Sequence, residues 1–296
     1  MWKKQLKSNC RVQEEFRTEL DILSRLRHKH IIRLLGSCVS KDKRHQTALQ
    51  KEKRGLLARW RKKNGTLFDQ LHPDQGSTAL SLVTMSWKIR IDVLLGVSRA
   101  IEHLHCHHAR FPIIHRDIKS SNILLDASWL PRVCDFGLSV TWDVASDETG
   151  LDAPCIGGTF GYMAPEYAGG LCVKPAIDVY SLGVVMLEVL TGRTAFDQEE
   201  GYYCLAEFAS CSRIIKDGNI EELLDRRPVP EPTSWQLQAL KRVALIARCC
   251  MEFDMNHRPA MTNIVAELEI AYELFCRDES DSVNESSAGS QSDPVH

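Results

Sequence analysis

The stretch "VYSLGVVMLEVL", residues 179–190, is the most apolar window of the chain, yet it falls far short of the ~20 residues that cross a bilayer. A helix apolar all round must be buried on nearly all sides. Other elements therefore have to wrap around it, and the sequence supplies them. In "SWKIRIDVLLGVSRAIEHLH", Leu94, Val97, Ile101 and Leu104 fall along one helical stripe. Helical patterns return at 236–250 and in a last helix opening at "RPAMTNIVAELEIAYEL", with Pro259 near its first turn. Upstream, "EEFRTELDILSRLRHKH" spaces Phe16, Leu20, Leu23 and Leu26 as a helix, and "IIRLLGSCV" at 31–39 reads as a strand. The segment 277–296 has almost no large apolar side chain and predicts a disordered tail. No internal repeat is visible.

Composition excludes several classes. Hydrophobic residues at 44% and charged residues at 26% sit near the globular average, against both disorder and a membrane bundle. A net charge of -2 predicts no nucleic-acid partner. Eleven cysteines without repeated spacing fit reduced thiols rather than a secreted disulfide framework. "MWKKQLKSNC" has charge but no apolar core, so neither a signal peptide nor a membrane anchor is predicted, and the expected location is cytoplasmic.

The chemistry gathers in "IIHRDIKSSNILLD", residues 113–126, a polar knot between two apolar runs. Asp117 and Asn122 lie five apart, and thirteen residues after Asn122 comes "DFG" at Asp135, Phe136 and Gly137. Further on, "GGTFGYMAPE" ends at Ala164, Pro165 and Glu166. A lone "DFG" carries little weight. Three motifs in this order and at these separations resemble the protein-kinase signature of catalytic loop, metal-binding turn and substrate-loop end. The resemblance runs from about Phe16 to Cys276 and is nearest to plant receptor-like serine/threonine kinases, in particular a Crinkly-related branch, through "EFRTELDILSRLRHKH", "HRDIKSSNILLD", "GTFGYMAPEY" and "DVYSLGVVMLEVLTGR".

That resemblance implies an α+β, bilobal kinase-like fold: a partial N-lobe over 1–63, with an incomplete small sheet and a helix, then a mainly helical C-lobe over 64–276. It implies ATP and Mg2+ as cofactors and protein substrates as partners. Phosphoryl transfer demands positioning and charge neutralisation more than covalent chemistry. By resemblance, Asp117 accepts the substrate hydroxyl's proton, Lys119 neutralises the moving phosphoryl group, and Asn122 and Asp135 supply oxygen ligands to magnesium. Lysine at 119 favours serine/threonine over tyrosine substrates. The same resemblance implies that Thr159 bonds to Asp117 and Lys119, that Glu166 pairs with Arg258, and that Asp178 holds the catalytic-loop backbone from below. Arg116 marks the kinase type whose activation loop is ordered by a phosphate, with Ser146 and Thr149 as candidate acceptors against the bland reading of exposed loop hydroxyls.

Rival readings attach to two segments. "HLHCHH", with His103, His105, Cys106, His107 and His108, offers zinc donors, but neighbours one or two apart on a helix face different ways and no second ligand pair completes a set. His115 reads as a packed scaffold residue. The basic run from Lys51 to Lys63 reads as a solvated surface, with an acidic lipid, nucleic acid or import receptor as the functional alternative. In kinase register it occupies the adenine-binding hinge, where Leu56, Leu57, Asn64 and Gly65 fit and Arg59, Trp60 and Arg61 do not; a gene-model artefact is one account of this.

The start of the chain departs furthest from the family. Glu19, beside the apolar stripe, matches the helix glutamate that pairs with a strand lysine, against the alternative of a plain surface glutamate. Lys3 stands sixteen residues before it, without the apolar strand character that lysine needs. The first glycine is Gly36, after the helix, so no glycine-rich loop precedes it. Two functions follow: a serine/threonine kinase acting in receptor-like signalling, partnered by receptor-like kinases at the plasma membrane, or a catalytically impaired kinase-like scaffold.

Overall fold

The computed structural model describes residues 2–34, 64–73, 84, 86–145, 156–170, 173–197, 203–207 and 219–288. In chain order the elements are α1 (Trp2–Arg25), α2 (Leu67–Leu71), α3 (Trp87–Cys106), β1 (Ile113–Ile114), β2 (Ile123–Leu125), β3 (Pro131–Val133), β4 (Val140–Thr141), α4 (Pro165–Ala168), α5 (Ala176–Thr191), β5 (Phe196–Asp197), β6 (Tyr203–Cys204), α6 (Ser234–Cys250) and α7 (Met261–Ala288). The architecture is α+β, with helices dominating after residue 64.

The apolar window becomes α5, buried at every position from Ile177 to Leu190. Helices α3 and α6 pack against it, and α7 packs against both of them. Close approach needs a glycine: a Cβ at Gly183 would lie 2.8 Å from Cys250 Cβ and 2.9 Å from the Ala247 carbonyl oxygen. The stripe read on α3 is the buried one, since Leu94, Val97, Ile101 and Leu104 are all fully inaccessible. Ser86 caps this helix by accepting from the Ile89 N–H at 3.3 Å, and Thr233 caps α6 by accepting from Gln236 at 3.3 Å. Thr66 and Asp69 cap α2 reciprocally. Arg90 of α3, fully buried, reaches Asp225 at 2.6 Å and the Val189 carbonyl at 2.7 Å, tying α3 to the end of α5.

The strands form three antiparallel pairs among the described residues, β1–β4, β2–β3 and β5–β6. Ile113 faces Thr141 and Ile123 faces Val133. These short ladders turn the chain sharply on either side of residues 115–122.

Several expectations need correction. The strand read at 31–39 is, over its described part, a single parallel bridge from Ile31 to Val133, because the backbone of residues 30–32 bonds to Val133 of β3 and to no N-terminal strand among the described residues. Among the described residues 31–34 no N-lobe strand forms; residues 35–63, with the hinge positions Leu56 and Leu57, lie outside the described residues. Lys3 stands on the same continuous helix as Glu19, so the two backbones are about 24 Å apart at 1.5 Å per residue. No lysine side chain spans that distance, so Lys3 is not the partner of Glu19. The backbone of 277–288 is helical where a disordered tail was predicted. It continues a helix already anchored by its buried face, so it bears no nucleation cost. That helix opens at Met261, two residues beyond Pro259.

Candidate active site

Two sequence-distant segments meet above α5. Its Asp178 is completely buried and accepts the backbone N–H groups of His115 and Arg116, each at 2.8 Å, while His105 Nε2 lies 3.0 Å away. Burial alone would raise the Asp178 pKa; His105, His115 and the amide bonds outweigh it and hold the carboxyl below its usual range. This acceptor fixes a strained backbone. Arg116 has φ of 70°, a left-handed conformation that costs a non-glycine residue about 1–3 kcal/mol unless its surroundings enforce it. Asp135 has φ of 68° at the start of the 136–138 turn.

His105, weighed above as zinc-ligand material, is therefore committed to Asp178. His103 stacks on His28 with ring centroids 4.9 Å apart. His115 is fully buried, its ring edge-on to Phe136 at 4.7 Å and its Nε2 3.1 Å from the Cys134 carbonyl.

The loop held in this way gathers one polar array. Thr159 Oγ1 donates to Asp117 Oδ1 at 2.7 Å. Lys119 Nζ lies 2.8 Å from Asp117 Oδ2 and donates to Thr159 Oγ1 at 2.6 Å. Asn122 Nδ2 donates to Asp117 Oδ2 at 3.0 Å and to the Asp117 carbonyl at 2.9 Å. The amide nitrogen is thereby spent, which leaves the amide oxygen to serve as a cation ligand. The Asn122 carbonyl accepts from Cys134 N at 3.0 Å, so the residue before Asp135 is fastened to the same loop. Oxygen donors of this kind suit a hard divalent cation.

Helix α1 packs on the 136–138 turn. A Cβ at Gly137 would lie 3.1 Å from Glu15 Cβ, so only a glycine lets the helix come this close without displacement. Glu19 is one helical turn beyond Glu15 on the same face. Glu166 and Arg258, far apart in sequence, are joined at 2.6 and 2.8 Å. Ser146 and Thr149 lie outside the described residues.

Some site residues escaped the sequence reading. Tyr162 donates to Glu188 Oε1 at 2.7 Å and lies 3.0 Å from Ser120 Oγ, joining the substrate loop to α5 and to the catalytic loop. Burial, then the nearby Glu188 carboxylate, raises the Tyr162 pKa, so the phenol stays a donor. Ser181 donates to the Tyr162 carbonyl at 2.8 Å. The signal was present: a lone acid inside "VVMLEVL" has to find a buried partner.

The protein kinase domain family matches residues 2–268. Among curated proteins of Arabidopsis thaliana, the serine/threonine-protein kinase-like protein CCR3 is 39% identical over 91% of this chain, and CCR4 is 36% identical over 86%. The receptor-like protein kinase HAIKU2 is 34% identical over 86%. The chain spans 32%, 32% and 24% of the length of these three relatives. A match across nearly the whole chain, on a fold that brings the three ordered motifs to one loop, leaves a single assignment: the chain belongs to the protein kinase domain family.

Proposed function

We propose that this chain transfers the γ-phosphoryl group of ATP to serine or threonine hydroxyls of protein substrates. The observation that carries it is the Thr159 hydroxyl on Asp117 Oδ1 at 2.7 Å, with Lys119 beside both. An alcohol already donates to this carboxylate at the distance a general base requires. A substrate hydroxyl would use another of the carboxylate's lone pairs, and Asp117 would take its proton. Lys119, 2.8 Å from Asp117, supplies the positive charge next to the transferred group.

Membership of the family implies ATP and a divalent metal in general. In the proposal the metal is magnesium, held by Asn122 and Asp135, and Glu19 faces the nucleotide side. Bound there, Mg-ATP supplies the transferable phosphoryl group and the cation that offsets its charge. Residues 1–63 act as a partial N-lobe and 64–276 as the C-lobe. Receptor-like names among the relatives support a role in receptor-like kinase signalling. In the proposal the chain works in the cytoplasm, peripheral to the plasma membrane. Among the described residues no helix is long and apolar enough to cross a membrane.

The test is incubation of the purified chain with labelled Mg-ATP and a generic protein substrate beside an Asp117→Asn variant. Transfer that is lost in the variant supports the proposal. Equal labelling in both proteins, or none in either, overturns it.

A further inference from the structure

Glu188 is completely buried in α5, and one of its two oxygens has a partner: Oε1 accepts from Tyr162 at 2.7 Å. Oε2 is buried too and has no hydrogen-bond partner among the described residues. The opposite lack stands next to it. His72, at the end of α2, places Nε2 3.8 Å from Glu188 Oε1, and that nitrogen is likewise buried with nothing to bond to among the described residues. A buried carboxylate served by a single neutral donor is poorly compensated, and an imidazole N–H is a donor that suits it. A shift of the ring by roughly 0.6–1 Å would bring the two within hydrogen-bond distance. The place of the ring is set by its own helix. Thr66 and Asp69 cap the start of α2, the His72 N–H donates to the Phe68 carbonyl at 2.9 Å to close its end, and the Phe68 ring centroid lies 4.7 Å from that of the imidazole. From Glu188 the contacts run on through the Tyr162 phenol to Ser120 Oγ at 3.0 Å, in the loop between Asp117 and Asn122.

We propose that His72 is a positioning residue for phosphoryl transfer: through Nε2–H it is the second partner of Glu188, and it thereby fixes the carboxylate on which Tyr162 and the substrate loop depend. This rests on the kinase reading above and adds to that site a member from outside the three motifs. His72 touches none of the reacting atoms. Its effect passes through Glu188 and Tyr162 to the turn that begins at Thr159, which the Tyr162 N–H closes by donating to the Thr159 carbonyl at 3.1 Å. A carboxylate without its second donor is freer to turn from Tyr162, and the Thr159 hydroxyl then loses its fixed place beside Asp117.

The test compares wild type with His72→Leu and His72→Gln in the full chain. Leucine fills the space without a donor, whereas glutamine brings an amide N–H to the place of Nε2. Peptide phosphorylation and exchange of the Tyr162 amide are measured on all three. In His72→Leu, kcat/KM for the peptide should fall about tenfold, as for the loss of one hydrogen bond to a charged group, while KM for ATP holds. The Tyr162 amide should exchange about tenfold faster. His72→Gln should recover both to within about threefold of wild type. In a Tyr162→Phe background the leucine substitution should cost less than about twofold, because its path is already cut. No loss in His72→Leu overturns the proposal, as do equal losses in the leucine and glutamine variants or a leucine loss undiminished by Tyr162→Phe. If wild type transfers no phosphate, the kinase reading fails on that result, and the Tyr162 exchange rates alone decide whether His72 holds the loop: faster in the leucine variant only, it does; unchanged or equally fast in both, it does not.

Discussion

Glu166 and Arg258 face each other as a two-pronged ion pair, Nη1 2.6 Å from Oε1 and Nη2 2.8 Å from Oε2. The guanidinium also donates to the carbonyls of Ala176 at 3.0 Å and Glu252 at 2.9 Å, and it lies over the Tyr180 ring. One side chain thus ties the end of the substrate loop to the start of α5. Arg258→Ala strands a nearly buried carboxylate and should cost about 3–5 kcal/mol. Denaturant unfolding measures this. A loss below about 1 kcal/mol would place the pair with exposed ion pairs.

Thr159 bridges Lys119 and Asp117 through one hydroxyl. Thr159→Val keeps the shape and removes the bridge, whereas Thr159→Ser keeps the oxygen. The valine variant should lose about tenfold in kcat, corresponding to one hydrogen bond to a charged group, and the serine variant much less. Steady-state kinetics on a peptide decide it, and equal losses in the two variants would assign the effect to packing.

Asp178→Asn removes one of the two oxygens that fix the Arg116 backbone. An amide oxygen can accept from His115 or from Arg116, but its nitrogen cannot replace the second acceptor. Stability should fall by about 1–3 kcal/mol, as for a buried donor left unsatisfied. The rate should fall further than KM rises, because the strained conformation at Arg116 loses its support. Thermal unfolding and kinetics on the same preparation test both halves.

His28 is pushed from 6.5 down to about 4, first by burial and then by the charges of His103, His30, Lys29 and Arg99. The unfolded chain therefore takes up a proton on His28 between pH 6.5 and about 4, while the folded chain does not. The sign follows directly: stability declines as pH drops through that window. His28→Gln, which cannot titrate, should flatten the decline in a series of melting curves. An unchanged slope would acquit this residue.

Gly183→Ala adds a methyl group against Cys250 Cβ and the Ala247 carbonyl, neither of which is the end of a flexible side chain. Overpacking of this kind should cost about 1–3 kcal/mol. A neutral or stabilising result would show that α5 and α6 can separate without penalty.

Much of this was legible in the residues themselves. The stripe of Leu94, Val97, Ile101 and Leu104 announced α3, and the apolar run at 179–190 announced α5, because periodicity and hydrophobic length are local properties. The polar knot at 113–126 was visible for the same reason. The links between segments were harder. Nothing near Tyr167 in sequence tells that its oxygen meets Arg116, and nothing near Arg90 tells that it meets Asp225, since such pairings depend on how distant elements stack. At the N-terminus the sequence leaves open whether Lys3 partners Glu19, since the residue count is tolerable and the strand character is missing; the helix closes the question, because sixteen residues of helix cover far more distance than a folded strand and turn would. The tail was judged by composition, although a helix once anchored propagates through polar residues that could not start one.

The three side chains on α5 that reach outward, Asp178, Ser181 and Glu188, hold the loops carrying Asp117 and Thr159. The working geometry is therefore suspended from the least accessible part of the molecule and not from its rim. Heat inactivation should accordingly offer no early warning. Activity and far-ultraviolet ellipticity should disappear together, because nothing short of extracting that central rod frees the loops that do the chemistry.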